Sequence, residues 1–183
     1  MLYITKIDDS HDRRAVQHNA GISLLIKAVE HEYGTVISPN DIAYGSYGKP
    51  YLPCHPEICF NIAHCSGLAV CLISDKPCGV DAEKLRPISS GAFKRVFSPA
   101  ESELIYSAPE SSRDSIFTSL WTLKEAYAKA DGRGLAAMSE AEFSFDGDNV
   151  ISNTSLFFKR FFHEDHIISV CCSQTSDIKL NIC

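Results

Sequence analysis

The spacing of apolar residues predicts the elements in the first part of the chain. Between residues 20 and 33, apolar side chains recur every three or four positions, which predicts an α-helix with one apolar stripe. Further on, apolar positions alternate over 58–62 and again over 68–72, on either side of a Ser66-Gly67 turn. This alternation predicts a β-hairpin, and the segment 79–83 predicts a further short strand.

The second part of the chain begins with a clear helix signal. Ser98, Pro99 and Glu101 have the spacing of a capping box with proline at the first helical position. A longer helix is predicted from Ser112 to Asp131, where glycines follow and end it. Three later segments have strand-like patterns: 143–145, 156–162 and 166–172.

Each part therefore consists of a helix and several strands, and the two meet near residues 87–90. This order predicts an α+β fold. The 183 residues suffice for one compact unit built from two small halves. We expect an N-terminal α+β half over 1–87 and a C-terminal α+β half over 88–183.

Composition and charge narrow the class of protein. The chain is 45% hydrophobic and 22% charged, which is typical of a globular protein with a buried core. A net charge of −6 gives no overall attraction to nucleic acid. The apolar run over 68–73 is far shorter than the ~20 residues of a membrane helix, and the first ten residues lack a signal-peptide pattern. We expect a cytoplasmic monomer that binds neither nucleic acid nor membrane.

The eight cysteines contain no C-x-x-C pair, so a zinc ribbon or a thioredoxin-like redox site is not supported. With no secretory signal, a disulfide framework is not expected either. The sequence predicts free and mostly buried thiols.

The long helix carries the first candidate for chemistry. Glu125 and Lys129 lie four residues apart, on the side opposite Leu120 and Leu123. One interpretation is an ordinary surface ion pair, which stabilises a helix by only about 0.3–0.5 kcal/mol. The alternative places Glu125 on a divalent metal ion and Lys129 on a phosphate oxygen, and it requires further acidic ligands.

Asp81 and Glu83 would supply those ligands. Residues i and i+2 share a face of a strand about 6.5 Å apart, so the two carboxylates repel unless a cation lies between them. Lys84 and Arg86 are possible ion-pair partners and leave the structural interpretation open. Three carboxylates without histidine or thiolate ligands suit Mg²⁺.

Other polar motifs have simpler explanations. Gly45 to Pro50 lacks the spacing of a phosphate-binding P-loop. His64, near a predicted strand end, is either a structural histidine or a donor to an anion. The segment 163–166 resembles a metal motif but is explained by a hairpin turn, and Glu101 by its capping box. The basic segment 84–95 is either a solvated surface or a patch for an anionic partner.

Taken together and in order, five motifs resemble those of the 4′-phosphopantetheinyl transferases. The resemblance is to the longer, single-chain branch typified by the surfactin-synthetase-activating enzyme, and it extends from about residue 45 to 172. The motifs are Gly48-Lys49-Pro50, Phe60-Asn-Ile-Ala-His64-Cys65-Ser66, Gly79-Val-Asp81-Ala-Glu83-Lys84, Phe97-Ser98-x-x-Glu101 and Trp121-Thr-Leu-Lys124-Glu125-Ala-x-x-Lys129-x-x-Gly132-x-Gly134.

The resemblance implies a pseudo-dimer of two similar α+β halves with coenzyme A in the cleft between them. It implies a Mg²⁺-dependent transfer of the 4′-phosphopantetheine arm to a serine of an apo carrier protein, with release of adenosine 3′,5′-bisphosphate. By this resemblance the metal ligands are Asp81, Glu83 and Glu125, the contacts to coenzyme A phosphates are Lys129 and His64, and the adenine site is lined by Gly48, Lys49 and Pro50. Glu125 is the preferred general base and Glu101 is a second candidate.

Two alternatives remain at this point. Ala63 and Cys65 stand where the family commonly has serines, which would suit a catalytically weak homologue that only binds carrier proteins. The other alternative is a metal-dependent hydrolase of nucleotide pyrophosphates.

Overall fold

The α+β class is confirmed in a computed structural model, which describes residues 1–8, 13–85, 87, 96–173 and 178–183. The helices of this part are α1 (Arg13–Tyr33), α2 (Pro99–Ser107), α3 (Glu110–Asp131) and α4 (Leu135–Met138), with a short 3₁₀ helix over Pro39–Asp41. The strands are β1 (Leu2–Lys6), β2 (Ala43–Tyr44), β3 (Pro50–Tyr51), β4 (Cys59–Cys65), β5 (Leu68–Ser74), β6 (Cys78–Lys84), β7 (Phe143–Asp146), β8 (Asn149–Ser152), β9 (Phe157–His163), β10 (His166–Cys172) and β11 (Leu180–Ile182).

Two sheets pack face to face, and each is covered by one long helix. The first sheet has the order β11-β1-β5-β4 and the second β6-β10-β9. Their inner faces form one core, in which Ile4 and Leu72 meet Val80 and Val170. The outer face of the first sheet packs against α1, and the outer face of the second packs against α3. The described residues thus form four layers: helix, sheet, sheet and helix.

The predicted hairpin is confirmed as β4 and β5, and the strand predicted over 79–83 is confirmed as β6. Sheet pairing crosses the proposed boundary at residue 87, because β6 pairs with β10 and β11 pairs with β1. The division into two similar halves stays a prediction. Residues 88–95, directly after this boundary, lie outside the described residues, as does most of the basic segment 84–95; Lys84 is described, and it pairs with Asp165 at 2.9 Å.

The long helix is confirmed but is more deeply buried than one apolar stripe predicts. It begins at Glu110 and ends at Asp131, and the following Gly132 has a φ of 89°, the left-handed conformation that glycine adopts readily at a helix end. The polar residues Thr122 and Lys124 are fully buried as well. Thr122 bonds Ser169 of β10 with a distance of 2.7 Å between hydroxyl oxygens. The reason is that α3 contacts β6, β10, α2 and α4 and has few free sides.

Two smaller predictions are also confirmed. All eight cysteines are free, and five of them are buried. Residues 163–166 form the turn between β9 and β10, in which Glu164 has a φ of 52°. In addition, no helix among the described residues combines the length and the apolar character needed to span a bilayer.

The capping box at the start of α2 is confirmed, and it is joined to an ion pair that lies completely inside the protein. Glu101 accepts hydrogen bonds from the backbone N–H groups of Ser98 and Phe143, both at 2.9 Å. Lys124 of α3 lies 2.9 Å from the same carboxylate and also donates to the carbonyl oxygen of Ala141 at 2.7 Å. Glu101 therefore joins α2, α3 and β7 as a structural group.

Replacement of Lys124 with Met should lower the free energy of unfolding by about 3 kcal/mol, because it leaves the Glu101 carboxylate buried without its counter-charge. Urea denaturation measures the change. In the double variant Lys124→Met/Glu101→Gln the buried charge is gone, so we expect part of the stability to return. A double variant whose loss equals the sum of both single losses would contradict this coupling.

Candidate active site

The candidate site lies where β6 passes under α3. Strand alternation directs Val80 and Ala82 of β6 into the core between the sheets. Gly79, Asp81 and Glu83 therefore face α3. The approach is closest at Gly79, where a Cβ atom would lie 2.0 Å from the carbonyl oxygen of Ala126. Only glycine allows this close contact. It brings Asp81, the next residue of β6 that faces α3, beside the helix.

Asp81 and Lys129 form the central contact of the site. The Lys129 Nζ atom donates to Asp81 Oδ1 at 2.6 Å, and the Asp81 side chain is largely buried. Glu125 is half-buried one helical turn before Lys129. Burial raises the pKa of Glu125, the negative charge of Asp81 raises it further, Lys129 lowers it and Glu83 raises it. Three carboxylates and one ammonium group thus share a single electrostatic environment.

His64 joins this environment from β4. Partial loss of hydration around its ring lowers the pKa of His64, and the positive charge of Lys129 lowers it further. His18 of α1 acts in the same direction, whereas Asp81 raises the pKa. The ring is thus favoured in its neutral form, in which one nitrogen donates and the other accepts.

A cavity of about 290 Å³ adjoins the charged cluster. Glu125 and Lys129 contribute to its wall, so these two predicted site residues face the same space as the segment 48–50. His64, Asp81 and Glu83 do not belong to this wall, although Asp81 reaches it through Lys129. The lining residues are Tyr47, Gly48, Lys49, Pro50, Asn61, Ile62, Glu125, Ala128, Lys129, Gly132 and Gly134.

Lys49 has a structural contact that its sequence position did not predict. Its ammonium group donates to the carbonyl oxygens of Lys129 at 2.6 Å and Ala130 at 3.2 Å, in the last turn of α3, and to Cys78 at 3.3 Å. A cation is favoured there by the exposed carbonyl groups of a helix C-terminus. Burial lowers the pKa of Lys49. The side chain thereby anchors the loop that forms one wall of the cavity.

The donor chemistry of the cluster fits a hard divalent cation. Asp81, Glu83 and Glu125 offer oxygen atoms only, and the like charges that raise the pKa of Glu125 would be relieved by a cation among them. In this conformation no three histidine, cysteine, aspartate or glutamate side chains of the described residues have a metal-binding arrangement. Lys129 here supplies the positive charge beside Asp81.

Asn61 was missed as a contributor to the site. It is buried in β4, and its side-chain oxygen accepts a hydrogen bond from the Val80 N–H of β6 at 2.9 Å. The contact joins the two sheets next to the cavity that Asn61 also lines. The sequence signal is a lone amide in a segment where buried apolar residues predominate, since such a group requires a partner.

The chain is similar in sequence to known proteins. The profile of the 4′-phosphopantetheinyl transferase superfamily matches residues 77–176. The chain is 38% identical over 129 residues to a 4′-phosphopantetheinyl transferase of Bacillus subtilis, covering 69% of this chain and 56% of that protein. It is 31% identical over 128 residues to the B. subtilis transferase Sfp, with the same coverage. A solved coenzyme A complex of ACPS from Chronobacterium ammoniagenes has a TM-score of 0.41 and 22% identity, covering 52% of this chain and 93% of that one.

The chain belongs to the 4′-phosphopantetheinyl transferase superfamily. The prediction of this family and of its longer, Sfp-like branch is confirmed. The chain spans about half the length of the curated relatives it matches.

Proposed function

We propose that this chain transfers the 4′-phosphopantetheine arm of coenzyme A to a serine hydroxyl of an apo carrier protein and releases adenosine 3′,5′-bisphosphate. The observation that carries the proposal is the cluster of Asp81, Glu125 and Lys129 beside a cavity lined by residues 48–50. Membership in the superfamily supports the same reaction. We further propose that the chain acts as a monomer.

Asp81, Glu83 and Glu125 would hold Mg²⁺, which when bound would neutralise the charge of the pyrophosphate. In the proposed reaction the serine oxygen forms a bond to the phosphorus that carries pantetheine, and the bond from that phosphorus to the leaving adenosine bisphosphate breaks. Glu125 would accept the serine proton, because its half-buried carboxylate lies on the cavity wall beside Lys129. Lys129 stabilises the negative charge that develops on the leaving phosphate.

The segment 48–50 and His64 are proposed to bind the co-substrate. Gly48, Lys49 and Pro50 line the cavity and would contact the adenine ring. His64, in the electrostatic neighbourhood of Lys129, would donate a hydrogen bond to a phosphate oxygen. Glu101 has no place in this mechanism, because it is buried and paired with Lys124.

The proposal is tested by incubating the purified chain with coenzyme A, Mg²⁺ and several apo carrier proteins. We expect the mass of at least one carrier to increase by that of the phosphopantetheine arm. No increase with any carrier, while a control transferase modifies the same carriers, would contradict the proposed function.

Removal of divalent ions with EDTA should reduce the transfer rate to background, because the three carboxylates would then repel the pyrophosphate and one another. Adding Mg²⁺ in excess should restore the rate. A rate that EDTA leaves unchanged would remove the metal from the mechanism, even if transfer itself is observed.

A second candidate is a carrier-binding protein without catalytic activity. It is favoured by the contact between Lys129 and Asp81 at 2.6 Å, which neutralises a proposed metal ligand within the protein itself. Calorimetry distinguishes the two functions, because only the transferase is expected to bind coenzyme A in a manner that requires Mg²⁺. A hydrolase would instead release phosphopantetheine in the absence of any carrier.

A further inference from the structure

Two cysteines lie directly opposite each other where β6 begins and β10 ends. Cys78 is the first residue of β6 and Cys172 is the last residue of β10, and the antiparallel register pairs them. Both side chains are buried in the core between the two sheets, and both are thiols in this structure. Two sulfur atoms therefore lie on the same face of neighbouring strands.

The hydrogen-bond pattern places this pair at the closer of the two kinds of cross-strand position. The Leu85 N–H donates to the carbonyl oxygen of Asp165 at 2.7 Å, one step beyond the same ladder. Hydrogen-bonded and non-hydrogen-bonded pairs alternate along an antiparallel ladder, so Cys78 and Cys172, the seventh pair after Leu85 and Asp165, are a non-hydrogen-bonded pair. The Cα atoms of such a pair are about 4.5 Å apart, within the roughly 4.4–6.8 Å of disulfides. The spacing thus permits a bond between the two sulfur atoms within the existing sheet.

The neighbouring cysteines are placed differently. Cys171 precedes Cys172, but its side chain lies in the core on the α3 side, and its register partner is Gly79. Cys59 acts electrostatically on Cys78, but it belongs to β4 of the first sheet, whereas β6 belongs to the second. The register therefore favours the pair of Cys78 and Cys172.

Small molecules can approach this pair from two cavities. Cys78 and Pro77 line a cavity of about 390 Å³. A second cavity, of about 300 Å³, is lined by Pro77 and Ser173, which adjoin the pair in the sequence. Each volume is many times the roughly 30 Å³ that a water molecule occupies in the liquid. Hydrogen peroxide, with only two heavy atoms, is therefore small enough to reach thiols that bulky reagents do not reach.

We propose that Cys78 and Cys172 are an oxidation site, at which hydrogen peroxide converts the two thiols into a disulfide. The inference is independent of the proposed function. Cys172 reacts first, because burial raises the pKa of Cys78 to about 12 and keeps that thiol protonated.

The reaction has two steps, and each releases one water molecule. The Cys172 thiol loses its proton, its sulfur bonds to a peroxide oxygen, and the O–O bond breaks, which leaves a sulfenic acid and releases the other oxygen as water. The Cys78 sulfur then bonds to the Cys172 sulfur, the S–O bond breaks, and the hydroxyl group leaves as water with the Cys78 proton. Two sulfur atoms are oxidised, and one peroxide is reduced to two water molecules.

The test first treats the native chain with a bulky maleimide, which blocks exposed thiols such as Cys54 and Cys183, and then with hydrogen peroxide. Peptide mapping without reductant should show the peptides of Cys78 and Cys172 joined, with a mass lower by two hydrogen atoms than that of the separate peptides. Reductant should separate them. Recovery of both cysteines as thiols, or a bond from Cys78 to Cys59, overturns the proposal.

Thermal unfolding measures whether the bond forms within the native sheet. The disulfide closes a long loop of the unfolded chain, so peroxide should raise the Tm by about 5–10 °C. Cys172→Ala should lose this increase. The matched control Cys171→Ala, with the same change at the adjacent buried position on the opposite face of β10, should keep it. Equal responses of the two variants overturn the proposal, and if either variant does not fold, the peptide map of the wild-type chain decides.

Discussion

Turnover of Glu125→Gln is expected to fall at least about 100-fold, the scale of losing a group that stabilises charge in a transition state. The amide keeps the size of the side chain but removes its negative charge and its capacity to accept a proton. Both losses act on the cluster of Asp81, Lys129 and Glu125, where the pKa of Glu125 is already raised by burial and by the neighbouring carboxylates. The measurement is the initial rate of carrier modification under saturating coenzyme A and Mg²⁺.

The matched control is Glu103→Gln, which makes the same change at an exposed carboxylate on α2. It should retain full turnover. The stability of Glu125→Gln should equal or exceed that of the wild type, because the substitution relieves the repulsion among three carboxylates. Near-normal turnover of Glu125→Gln, with an unchanged circular dichroism spectrum, would remove this residue from the site.

The sequence predicted the fold best where a regular pattern met a clear boundary. The α3 helix was recognisable because its apolar spacing continues to a pair of glycines, and Gly132 does adopt the left-handed conformation at its end. The β4–β5 hairpin was recognisable because its alternation breaks at Ser66-Gly67. The strands β1 and β11 were not predicted, since each is short and is ordered by pairing with strands distant in the sequence, β1 between β5 and β11, and β11 at the edge of the first sheet.

Depth of burial was harder to predict than the elements themselves. Lys124 lies on α3 next to Glu125, the proposed general base, and its charge predicts a solvent-exposed position. In the structure it is buried, because Glu101 and two carbonyl oxygens from the chain beyond α3 surround its ammonium group. The burial of Lys124 therefore depends on partners that are distant in the sequence, and no local sequence pattern predicts it.

The same holds for the candidate site. Residue types and spacing predicted that Asp81 and Glu83 share a face and that Glu125 and Lys129 share another. The proximity of these two faces depends on tertiary packing, and it is made possible by Gly79 under α3. Lys49 was predicted to line the adenine site, but its contact with the end of α3 was not predicted, because that contact also depends on tertiary packing.

Gly79→Ala should therefore be the most destabilising single substitution in the site region, with a loss of about 4 kcal/mol in the free energy of unfolding, above the roughly 1–3 kcal/mol that is usual for overpacking. The added Cβ would lie 2.0 Å from the Ala126 carbonyl oxygen and 2.6 Å from the Ala130 nitrogen. Both atoms belong to helix backbone, which cannot rotate away as a flexible side chain does. The strand must separate from α3, and Asp81 must then move away from Lys129.

Urea denaturation measures the loss in the free energy of unfolding, and the transfer assay measures the loss of activity that follows from the displacement of Asp81. Both losses should be large. Gly45→Ala is the matched control, since its Cβ would meet only the Lys49 carbonyl oxygen at an ordinary 3.6 Å. Its free energy of unfolding should stay within about 0.5 kcal/mol of the wild type. If Gly79→Ala were as stable and as active as Gly45→Ala, the close approach of β6 to α3 would not be what holds Asp81 beside Lys129.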